Sequence, residues 1–99
     1  MVTKEEAVKY LSDAPAEQCF WVSDGHVLKN LSELAGTLPQ IDDNTYSYHA
    51  NKEKNDFSKW VSDILGDKQL ANDLLSSKTK NSAVKKLNSR LALLKRKAS

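Results

Sequence analysis

Asn55-Asp56-Phe57-Ser58-Lys59-Trp60-Val61-Ser62-Asp63-Ile64-Leu65-Gly66-Asp67 (residues 55–67) decides the fold class of this chain. Phe57, Trp60, Val61 and Ile64 recur at i, i+3, i+4 and i+7, the spacing of one apolar helix face. Asn55 and Asp56 are both good N-caps, and Gly66 is a natural left-handed stop. Asp67 caps a further helix carrying Leu70, Ala71, Leu74 and Leu75. Gly66-Asp67 therefore predicts a helix–helix corner.

Upstream the signals alternate between helix and strand. Thr3 and Glu6 stand at capping-box spacing, and Ala7, Val8 and Leu11 give a short apolar face. They predict a helix over about 4–12, ended before Pro15. Cys19-Phe20-Trp21-Val22 and His26-Val27-Leu28 read as two strands joined at Ser23-Asp24-Gly25, with Gly25 supplying positive φ. Asn30 and Glu33 repeat the cap spacing, and Leu31, Leu34, Ala35 and Leu38 predict a helix over about 31–37, frayed by Gly36 and closed by Pro39. Tyr46-Ser47-Tyr48-His49 alternates with period two and reads as a third strand. Downstream, 76–82 is polar and reads as a linker or a frayed turn. Ser82 caps a last helix, in which Val84, Leu87, Leu91 and Leu94 form a heptad-like seam. The expected architecture is α+β: a small helix-dominated domain with four or five short helices and a two- or three-stranded antiparallel sheet.

Ninety-nine residues with 39% apolar content support one modest core. The single cysteine, Cys19, excludes an internal disulfide and fits a reducing, cytoplasmic setting. The opening Met-Val-Thr-Lys-Glu-Glu lacks the apolar stretch of a secretory signal. No apolar run approaches the length of a membrane span.

Charge divides the chain in two. Residues 78–99 hold eight Lys or Arg and no acid. Residues 1–77 hold the other seven basic residues and all thirteen acids, a net of −6. The expected organisation is an acidic α+β body (1–77) and a basic amphipathic helix (78–99), packed on the body or exposed. A one-sided field of this kind suggests a polyanion or an acidic protein as partner. The candidate nucleic-acid contacts are Lys78, Lys80, Lys85, Lys86, Arg90, Lys95, Arg96 and Lys97. The internal alternative is that the acidic body neutralises them while the leucine seam packs on the core. The seam could instead join two copies into a homodimer, or serve a partner protein. A short basic helix without aromatics is a weak membrane anchor, so no membrane partner is expected.

The stretch His49-Ala50-Asn51-Lys52-Glu53-Lys54-Asn55-Asp56-Phe57-Ser58-Lys59-Trp60 is followed by Gly66-Asp67 and Leu70-Ala71 and preceded by Ser23-Asp24-Gly25 and Leu31-Ser32-Glu33-Leu34. Together these resemble a family of small, mostly archaeal domains of unknown function with the pattern HVNxxxNDFxxW…GDxxLA. Ala50 stands where that pattern has Val, and Asn30-Leu31 where it has Ser-Leu. The likeness covers about residues 20–75 and leaves the basic tail outside. It implies a fold but no chemistry.

His49, Asn51, Asn55, Asp56 and Trp60 form the densest cluster of polar and aromatic candidates. They read either as a ligand or partner surface beside a helix N-terminus, or as caps, loop hydrogen bonds and core. Capping alone accounts for Asn or Asp before an apolar helix. Cys19 with His26 or His49 lacks the setting of a nucleophile, and its apolar strand favours inert packing. Asp42 and Asp43 are turn formers rather than an acid–base pair. No zinc spacing, HExxH helix or phosphate-binding glycine loop is present, so neither metal nor cofactor is expected and the chain reads as non-enzymatic. A small enzyme, the third reading, would need a pocket around His49 and Asn51. Phe20, Trp21, Tyr46 and Tyr48 could be a base-stacking platform, but core packing explains them better.

Overall fold

The structure, a computed structural model, describes residues 1–99. Six α-helices and one two-stranded antiparallel sheet follow in the order α1 (Lys4–Leu11), β1 (Phe20–Trp21), β2 (Val27–Leu28), α2 (Leu31–Thr37), α3 (Asp43–His49), α4 (Asp56–Trp60), α5 (Lys68–Ser76) and α6 (Lys80–Ala98). The molecule is thus α+β and helix-dominated, with one helix more than expected.

Local caps set most boundaries. Thr3 and Glu6 close a reciprocal capping box on α1. Asn30 accepts from the Glu33 amide at the start of α2. The hairpin pairs Phe20 with Leu28 and Trp21 with Val27, which sends Phe20 and Leu28 inward and Trp21 and Val27 outward. Gly25 sits at φ 106°, where its missing Cβ avoids strain.

The third strand does not form: residues 43–49 are α3. Asp42 caps it by accepting from the Thr45 amide at 2.8 Å. Tyr46 and His49, three apart, both face the core, while Tyr48 points outward. The period-two spacing of the tyrosines marks no shared face, since only Tyr46 turns inward, and the sheet keeps two strands. The last helix also starts earlier than expected. Thr79, not Ser82, is its cap, accepting from the Ser82 amide at 3.1 Å.

α4 continues through one wide π turn (Val61–Leu65) to Gly66, at φ 89°. That turn rotates Leu65 fully into the core and leaves Ile64 half-buried. The core joins the hairpin to every helix. Phe57 stacks between Phe20 (centroids 5.1 Å) and Tyr46 (5.6 Å), and Trp60 meets Phe20 edge-on at 5.7 Å. The Trp60 indole N–H donates to the Gln18 carbonyl at 2.8 Å, so the ring's one polar atom is satisfied. α6 lies across α1, α2 and α5 and buries Ala83, Leu87, Leu91 and Leu94.

Candidate nucleic-acid interface

α6 is built from two incompatible needs. Its apolar seam must leave water, and its cations must not. The seam is spent inside the molecule: Leu87 and Leu94 are fully buried and Val84 half-buried. It is therefore covered by the chain's own α1, α2 and α5, and a homodimer or a partner cannot use it without opening the core.

Three of the eight cations stitch the helix down. The Arg90 guanidinium donates from both Nε and Nη2 to the two carboxylate oxygens of Asp67, each at 2.8 Å. Asp67 is wholly buried and also accepts from the Leu70 amide, so one carboxylate caps α5 and anchors α6. Hydrogen bonding to Asp67 raises the Arg90 pKa further, against the opposing effect of burial. Lys86 donates to the Asp73 carbonyl at 3.4 Å and the Ser76 hydroxyl at 3.3 Å, near the C-terminal end of α5, where the helix dipole favours a cation. Lys80 donates to the Ile41 carbonyl at 2.6 Å and lies 3.9 Å from the exposed carboxylate of Asp43.

The other five have no such engagement. Lys78, Lys85, Lys95, Arg96 and Lys97 make no ion pair and no side-chain hydrogen bond. Lys78, Lys85, Lys95 and Arg96 are exposed and Lys97 is half-buried. The acidic body therefore does not neutralise the tail one-for-one: only Asp67 and Asp43 meet its cations.

The His49–Trp60 stretch is brought together, but as internal scaffolding. His49 is buried, with Nε2 accepting from the Ser23 amide at 2.9 Å and Nδ1 paired with Asp56 at 2.9 Å. That pairing makes Nδ1 the protonated nitrogen and fastens the hairpin tip to the start of α4. Partial burial pushes the Asp56 pKa up, but hydrogen bonds from His49 and Lys54 outweigh it and hold the carboxyl below its ordinary range. Asn51 donates to the Ser47 carbonyl and accepts from the Glu53 and Lys54 amides. Asn55 caps α4 and donates to the Leu74 carbonyl. Trp60 is buried. These side chains spend their hydrogen-bonding capacity largely on the chain itself, and the motif that carries the resemblance reads as the means of joining hairpin, α3, α4 and α5.

Elsewhere, His26 is held by Asp24, whose carboxyl its hydrogen bonds lower, and the Cys19 thiol donates to the Pro15 carbonyl at 3.5 Å. No three His, Cys, Asp or Glu side chains converge as metal ligands would. Of the four aromatics considered as a platform, Phe20 and Tyr46 are core, whereas Trp21 (70% exposed) and Tyr48 (61%) stand in solvent. Sequence reasoning missed the groove that Tyr46, Lys52 and Lys78 line between α3 and the start of α6. No helix is long and apolar enough to cross a membrane. The chain matches no family model, and no curated protein or solved structure is significantly similar to it.

Proposed function

We propose that this chain is a small non-enzymatic module that binds nucleic acid through phosphate contacts, with little sequence specificity. One observation carries the reading. The helix that buries its leucines in the body leaves Lys85, Lys95, Arg96 and Lys97, and Lys78 just before it, without a carboxylate partner. A structural helix gains nothing from like charges held side by side, whereas a polyanion turns that repulsion into attraction. Lys80 and Lys86 can add to the contacts at the margin. Arg90 is committed to Asp67 and belongs to the scaffold. A cytoplasmic setting fits the unpaired Cys19.

Deleting residues 78–99 would remove core side chains along with charge, so the test is charge removal in the full chain. Retention on bulk DNA and RNA is measured at two salt concentrations for the parent and for a variant with all five free cations changed to Gln. Five phosphate contacts give a log–log salt slope of about −4.5 on duplex DNA, at about −0.9 per contact. The variant should lose most of that slope and weaken similarly on all sequences. Equal retention of parent and variant would overturn the reading.

The rival reading is a protein–protein adaptor. With the Val84–Leu94 seam and Trp60 buried, its contact would fall on the exposed aromatics Trp21 and Tyr48. Those rings, rather than the cations, would then govern binding, and salt would affect it weakly.

A further inference from the structure

Two adjoining hollows, with cavity volumes of about 360 and 480 Å³, form one groove between α3 and the segment leading into α6. Both are lined by Tyr46, Ala50 and Lys78. Three features of this groove point to the same kind of ligand.

The first is Tyr46. It is 8% exposed, its ring stacked on Phe57, yet its hydroxyl has no hydrogen-bond partner in the protein. No fully buried side-chain nitrogen or oxygen in the molecule lacks a partner. The Tyr46 hydroxyl must therefore reach open space, and the open space Tyr46 lines is this groove. Burial raises its pKa, so it stays protonated and able to donate. The second is the start of α6, a helix of 19 residues. The Thr79 hydroxyl takes the Ser82 amide, but the Lys80 and Asn81 amides have no partner in the chain, and both residues line the groove. Those N–H groups carry the positive end of the helix dipole. The third is charge. Lys78 is shared by both hollows and Lys52 lines the far one, neither in an ion pair. The groove's one carboxylate, Asp43, is 92% exposed and lies on the Lys80 side.

We infer that the groove holds a phosphoryl group, with the Tyr46 hydroxyl and the Lys80 and Asn81 amides donating hydrogen bonds and Lys78 and Lys52 supplying charge. The inference rests on the nucleic-acid reading only for the source of that group. The same chemistry would take a phosphate of a polynucleotide backbone or a free phosphate monoester.

The test is an NMR titration of the ¹⁵N-labelled full chain at constant ionic strength. The probes are inorganic phosphate, a nucleoside monophosphate and a short single-stranded oligonucleotide, with chloride as control. Phosphate should shift the Lys80 and Asn81 amides saturably, and chloride should not. Tyr46→Phe keeps the stacked ring and loses one hydrogen bond, which should weaken binding roughly three- to tenfold. Lys78→Ala should weaken it comparably, and Lys4→Gln with Lys29→Gln, exposed lysines outside both the groove and the proposed nucleic-acid contacts, should leave it unchanged. Absence of a saturable shift with every probe, or unchanged affinity in Tyr46→Phe, overturns the site. If phosphate and the monophosphate saturate the amides while the oligonucleotide neither shifts them nor is retained at low salt, the site stands and the nucleic-acid reading falls. If nucleic acid is retained at low salt while these amides stay still with every probe, the reading stands and the site falls.

Discussion

Arg90 and Arg96 lie on the same helix and carry the same charge, yet they do opposite things. Arg90 sits against a wholly buried carboxylate and makes two 2.8 Å hydrogen bonds to it. Arg96 is exposed and meets no carboxylate. The difference is angular: successive residues turn by about 100° on a 3.6-residue helix, so a six-residue step carries a side chain from the body-facing flank to the outer face. A count of cations in the sequence merges two populations that the fold separates, one fastening the helix and one left over for water or a partner.

The sharpest way to break this comparison is to remove the fastening charge. Arg90→Ala leaves Asp67 buried without its partner, and stability should fall by about 3–5 kcal/mol; urea unfolding reads the change. A loss below 1 kcal/mol would put Arg90 back among the free cations. Next, Leu87→Ala opens a cavity in the fully buried seam and should cost about 2–5 kcal/mol in the same measurement. A near-neutral result would mean that α6 is not part of the core.

A smaller effect concerns acid. Asp56 titrates below its ordinary value of 3.8. A carboxyl with a depressed folded pKa contributes stability above its unfolded pKa and loses it as pH falls through the folded one. The urea midpoint should therefore fall between pH 5 and pH 3, and Asp56→Asn should flatten part of that fall. Arg90, whose pKa is raised, should hold α6 throughout this range. The smallest effect on stability belongs to the outer face. Lys85→Gln with Arg96→Gln should change it by less than about 0.5 kcal/mol while lowering the magnitude of the DNA salt slope by about 2.

What the sequence made legible follows the range of the interaction. Caps act over three residues, so α1, α2, the Gly25 turn and the Gly66-Asp67 corner could all be read from local spacing. α3 was obscured because seven residues show barely two helical turns, and two tyrosines separated by a serine imitate a strand. Its cap, Asp42, was visible but equally consistent with a turn. The cation sorting was out of reach: Asp67 and Arg90 are 23 positions apart, and nothing local joins them. The groove was hidden for the same reason, since Tyr46 and Lys78 meet only through the packing of α3 beside the start of α6. The His49–Trp60 motif was visible as a cluster, but its internal role depends on Ser23 and Leu74, distant in the chain, at the other ends of its hydrogen bonds.

The Asp67 carboxylate, shared by the first turn of α5 and the middle of α6, makes two distant stretches into one opening unit. Neither can come apart without exposing a charge that the other holds. In native-state hydrogen exchange the amide of Leu70 and those around Arg90 should then open together, with one common free energy and one common denaturant dependence.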